Sequence, residues 1–227
     1  MKSYLLPLLL FGVMLISSCT ASRFVEPLDK DEISIGASFG GPIIDFGGPL
    51  PMPITSVEVG YGLDSSLTVF GGWHTTAAIF GNAQIDLGCS YQFLEQDRFI
   101  PNLSVSPSIN MIYDFGDRNG NIWPVLDINA FWNYGQRSSY FYAGFNNYFE
   151  LNSTGANDQP QDRYWLFSPQ IGHVLKGKNG RGQLTTEFKF FGPYIENSYA
   201  FVPFMPITGN GGARGFFIGY RWTINKN

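Results

Sequence analysis

The chain has 227 residues, a formal net charge of −4 and a pI near 5.1, so it has no basic stripe for a phosphate backbone and nucleic acid is excluded as a partner. Charged residues make up only 14% while aromatics reach 17% and glycines number 27, a balance poor for a water-facing surface and suited to lipid contact. Two cysteines and two histidines support neither a disulfide framework nor a zinc or iron site, and no cofactor or metal is expected.

In chain order, residues 1–18 carry a positive head at Lys2, an apolar core from Leu5 to Ile16, and two small serines. That is an export signal, too short for a span. The run Ile16-Ser17-Ser18-Cys19 resembles the lipobox of bacterial lipoproteins. The resemblance implies cleavage before Cys19, a diacylglyceryl group on its sulfur, and a mature chain held to a membrane leaflet. An ordinary secretory cut near Ala21 is the alternative. Residues 19–31 hold charge, a proline and little apolar pattern, as expected of a lipidated tether.

Residues 32–227 are expected to form one domain. No stretch there approaches the roughly 20 apolar residues of a helical span, whereas a strand-built span remains open. Apolar residues alternate with small or polar ones at period two, which predicts strands with one apolar face. The first sets Ile33, Ile35, Ala37 and Phe39 against Ser34, Gly36 and Ser38. The second covers 54–61, and a tight turn at 62–65 makes it a hairpin with Leu67–His74. A modest loop is expected at 77–82. The cleanest alternation follows, Ile85, Leu87, Cys89, Tyr91 and Phe93 against Gln84, Asp86, Gly88, Ser90 and Gln92. The strand from Leu103 to Tyr113 contains Pro107, where a bulge is expected. Strands at 126–134, 140–149, 165–172, 184–190 and 216–224 complete the set, the one at 140–149 being aromatic on both faces and ambiguous in register.

The expected fold is therefore all-β, an antiparallel up-and-down transmembrane barrel of about ten strands, with eight or twelve as neighbouring counts. Its connections alternate between short turns and long loops, and in this the domain resembles bacterial outer-membrane β-barrels. One departure from such barrels, which commonly end on an aromatic residue, is that Trp222 is followed by Thr223-Ile224-Asn225-Lys226-Asn227. Aromatics near strand ends, Trp73, Tyr91, Phe93, Tyr113, Tyr134, Trp165, Tyr220 and Trp222, are candidates for the interfacial girdles. The opposite faces are rich in Ser, Gly, Asn and Gln, with Glu58, Asp86, Asp127, Glu187, Lys189 and Arg221 expected to face a confined polar lumen.

The expected function is that of a non-enzymatic barrel, either a small or gated pore or a structural and binding scaffold in the outer membrane, anchored through Cys19 near its periplasmic rim. Outer-membrane lipid is the expected partner, and a solute or surface partner is open. A soluble lipid-tethered periplasmic barrel binding an apolar ligand is one alternative. The other is a lipid hydrolase of the lipid A deacylase or phospholipase type, which resembles the chain in size and uses His-x-Ser on one strand. Here Thr76 stands at the serine position after His74, and threonine is a poor nucleophile without an N-terminal amine. Acidic loop clusters at Asp114, Asp117 and Asn119, and at Asn157, Asp158 and Asp162, read as solvated loops. The proline-rich loops 47–53 and 203–206 are stiff enough to form a lid or a partner surface.

Overall fold

The computed structural model describes residues 21, 24–45, 47–154, 160–161, 163–197 and 203–224. The signal segment and Cys19 lie outside the described residues. Ten long strands, β1 (Ile33–Asp45), β3 (Ile54–Asp64), β4 (Leu67–His74), β5 (Asn82–Leu94), β6 (Asn102–Asp114), β7 (Asn119–Tyr134), β8 (Ser139–Phe149), β9 (Trp165–Lys176), β10 (Gly182–Glu196) and β11 (Gly211–Thr223), pair antiparallel in chain order. β11 returns to pair with β1 from Ser34↔Thr223 to Pro42↔Gly215, which closes the barrel. A short strand β2 (Pro49–Pro51) folds back on the loop end of β1.

One face of every strand looks outward and is apolar. Ile35, Val59, Val69, Leu87, Ile109, Ile128, Phe145, Ile171, Phe188 and Ile218, one from each strand in turn, are all exposed. On the opposite faces Ser34, Ser56, Thr68, Ser90, Asn110, Asn129, Asn146, Ser168, Glu187 and Arg221 are buried. Water drives apolar surface inward, so a continuous apolar belt around a polar interior is the arrangement that a lipid solvent stabilises. A soluble barrel with its apolar faces inside, the alternative expectation, is the reverse of this. Leu87, at the middle of β5, is 52% exposed. Leu87→Arg is expected to cost about 2–4 kcal/mol, the penalty for a cation at the bilayer midplane, when unfolding is followed in lipid vesicles.

The connections after β3, β5, β7 and β9 lie at one end of the barrel, and the long ones, after β1, β8 and β10, lie at the other, where the connection after β6, expected to be a long loop over 115–123, is a tight turn at 115–118 because β7 begins at Asn119. Several details differ from the sequence expectation. The loop expected at 77–82 begins with a single helical turn, α1 (Thr75–Ile79). Pro107 makes no bulge: pairing with β5 lapses beside it, but Gly88↔Ser108 and Tyr91↔Val105 keep one register across the gap. In β8 the ambiguity resolves with Tyr140, Tyr142 and Tyr148 inside and Phe141, Phe145 and Phe149 outside. β1 runs past its expected end because Gly40, at φ 139°, lets the backbone pass against Phe216 and Phe217, where a Cβ would collide.

Candidate functional site

The lumen is filled from within. Residues 24–28, expected to belong to a tether between lipid and domain, instead run inside the barrel, residues 29–31 are exposed at its turn end, and Ala21 packs against Phe191, Ala213 and Phe217 towards the loop end. Phe24 is 1% exposed; its ring stacks on Phe70 at 5.6 Å, and the Arg221 guanidinium lies over it at 3.9 Å. Val25 joins Phe131, Tyr140, Tyr142 and Val174 in a buried cluster, and Leu28 completes another with Phe24 and Phe70. Gly60 on β3 makes room for Phe24, since a Cβ there would overlap the ring.

Inner-face hydroxyls hold the main chain of this segment. Ser90 Oγ donates to the Phe24 carbonyl at 2.5 Å and Ser104 Oγ to the Val25 carbonyl at 2.6 Å, while Leu28 N–H donates to Thr68 Oγ1 at 2.7 Å. Glu26 pairs with Lys176 and accepts from Asn133 Nδ2 at 3.1 Å. These serines and threonines satisfy backbone groups that would otherwise be buried without partners.

All six charged residues assigned to the lumen from the sequence lie on inner faces. Arg221 pairs with Glu58 at 3.0 Å, and Lys189 with Glu187 at 3.6 Å. Tyr142 Oη donates to Glu187 Oε2 at 2.7 Å. Asp127 accepts from Asn146 Nδ2 at 3.0 Å and from Gln170 Nε2 at 3.4 Å. His74 Nε2 donates to Asp86 Oδ2 at 2.8 Å, and Asn110 donates to the same carboxylate. Charges held in low dielectric need such partners, which is why they come as networks. Near Ala21 a cavity of ≈ 20 Å³ bordered by Ser38, Glu58, Thr185 and Arg221 has room for little more than a water molecule.

The eight girdle candidates all lie on the exterior and are exposed. Tyr134, Phe141 and His173 stack on one another there, with Tyr134 Oη and His173 Nε2 2.6 Å apart. Of the possible hydrolase residues, His74 is buried in the lumen, whereas Thr76 sits on α1 and donates to the Pro53 carbonyl at 3.1 Å. The two are not brought together. The Asp114 carboxylate is committed to its own turn, accepting from Gly116 N at 2.7 Å and Asp117 N at 3.1 Å; Asn157, Asp158 and Asp162 lie outside the described residues. The proline-rich loops meet at the mouth: Met205 N–H donates to the Ile43 carbonyl at 2.7 Å, and Phe204 and Met52 pack on the cluster around Ala21.

The placement of this segment was not legible beforehand, because Phe24, Val25 and Leu28 follow no strand or helix period. What could have found it is the inner wall opposite, where Gly60, Gly62, Ser90 and Ser104 leave a groove wide enough for a main chain.

No protein-family model and no curated protein matches the chain. Among solved structures, a NanC porin is similar over 85% of this chain and 100% of its own, at 11% identity and a TM-score of 0.45. An anion-selective porin from Comamonas acidovorans aligns with 90% of this chain and 57% of its own, at 13% identity and a TM-score of 0.34. The outer membrane protein OprG from Pseudomonas aeruginosa aligns with 89% of this chain and 100% of its own, at 10% identity and 0.30. The architecture of this chain rests on the strand pairing described above.

Proposed function

We propose that the chain is a bacterial outer-membrane β-barrel lipoprotein, non-enzymatic, whose resting state is sealed to solutes. The observation that carries this reading is the pairing of an apolar exterior on all ten strands with a lumen in which Glu187 is 0% and Lys189 1% exposed. A standing water-filled channel would wet those side chains. The export signal and the lipobox resemblance support delivery to the cell envelope and lipidation at Cys19.

The test is heat-modifiability of the protein from membranes, with radiolabelled palmitate followed in the same gel. The expected result is a band that shifts on boiling, carries label, and loses the label in Cys19→Ala while keeping the shift. A band that never shifts, released from membranes by Cys19→Ala, would sink the barrel reading; a shifting band without label would sink only the lipoprotein part.

A further inference from the structure

We propose that Ala21 and residues 24–28 form a displaceable stopper, and that the lumen it vacates is a path for small cations. This rests on the reading of the chain as a membrane-spanning barrel.

The first argument is that the barrel does not depend on the segment. Its ladder closes strand by strand from β1 to β11, and residues 24–28 belong to none of the pairings. Backbone bonding to the wall begins only at its base, where Asp31 N–H donates to the Gly62 carbonyl at 2.9 Å. The polar side chains that hold the segment higher up include Ser90, Ser104, Thr68, Asn133 and Lys176, hydroxyls, an amide and an ammonium that water satisfies equally well, so what displacement gives up is the apolar packing of Phe24, Val25 and Leu28 and the stacking of Arg221 on Phe24. The segment is also terminal to the domain, so it can slide out without opening a strand pair.

The second argument is the chemistry left behind. With Glu26 gone, the inner face presents Glu58, Asp86, Asp127, Glu187 and, at the base, Glu32 against Lys176, Lys189 and Arg221. Carboxylates outnumber cations, which biases a narrow low-dielectric path towards positive ions. A separate observation points the same way. On the wall beside Asp127, Ser168 Oγ and Gln170 Oε1 are buried oxygens without a hydrogen-bond partner among the described residues. Gln170 Oε1, an acceptor with no hydrogen to give, solvates a passing cation and offers nothing to an anion, while the Ser168 hydroxyl serves either.

The experiment is planar-bilayer recording across a KCl gradient, using the mature chain and a variant lacking residues 21–28. The full chain is expected to be silent. The deletion is expected to show unitary steps whose reversal potential shifts towards that of potassium, and a synthetic peptide of residues 21–31 is expected to close them. If the deletion fails to fold, the length-preserving Phe24→Ser, Val25→Ser, Leu28→Ser triple variant takes its place. Heat-modifiable variant barrels that stay silent would overturn the stopper, and a reversal potential towards chloride would overturn the cation path. Failure of the membrane reading itself is distinguishable, because the full chain would then show no heat-modifiable band.

Discussion

Gly172→Leu is expected to remove about 3–5 kcal/mol of stability, read as a fall in the guanidinium midpoint at unchanged slope in lipid vesicles. Gly172 lies under the ring of Tyr142, and any Cβ at that position overlaps ring atoms. The backbone has no room to yield, because β9 is paired with β8 on one side and β10 on the other. Tyr142 must therefore move, and its hydroxyl is one of the donors to Glu187, which is fully buried. Overpacking and a weakened buried carboxylate act in the same direction. Gly71→Ala is the control: Gly71 faces outward, its nearest neighbour is the flexible end of Leu87 at 3.3 Å, and the change is expected to be near neutral.

Lys189→Met is expected to cost about 3–5 kcal/mol, the usual penalty for stranding one half of a buried ion pair. Lys189 Nζ lies 3.6 Å from Glu187 Oε1 and also acts on the charge of Asp127. Methionine fills most of the space but leaves both carboxylates with less compensation in low dielectric. Adding Glu187→Gln is expected to restore much of the loss, because the neutral amide keeps a Tyr142 acceptor and needs no cation. The double-mutant cycle measures this coupling directly, and additive losses would show that the two side chains do not act as a pair.

Much of this molecule was legible from alternation alone. Ile85, Leu87, Cys89, Tyr91 and Phe93 against Asp86, Ser90 and Gln92 announce a strand with one lipid face and one polar face, and β5 has that arrangement. Asp86, Asp127, Glu187, Lys189 and Arg221, set on polar faces by the same alternation, are buried, and Glu58 reaches Arg221. It said nothing about β8, where aromatics occupy both faces. There the deciding facts are non-local: the Tyr142 hydroxyl needs Glu187 on β10, and its ring needs the space at Gly172 on β9. Nor does period two apply to residues 24–28, whose conformation is set by the groove they occupy and not by their own sequence. The same limit hid α1, since one helical turn at 75–79 is too short to show a period.

The seam between β1 and β11 sets the order of assembly. Ser34 lies opposite Thr223, 189 residues further along the chain, so the earliest strand to be made waits for the last before its outer edge is satisfied. Until then the sheet has two bare edges, and hydrocarbon has no hydrogen bonds to offer either of them. Entry into the bilayer is thus tied to arrival of the C-terminal strand. A chain interrupted before Gly211 keeps nine strands' worth of lipid-facing surface and no stable place in lipid to put it, which makes unfinished copies a matter for the cell's proteases.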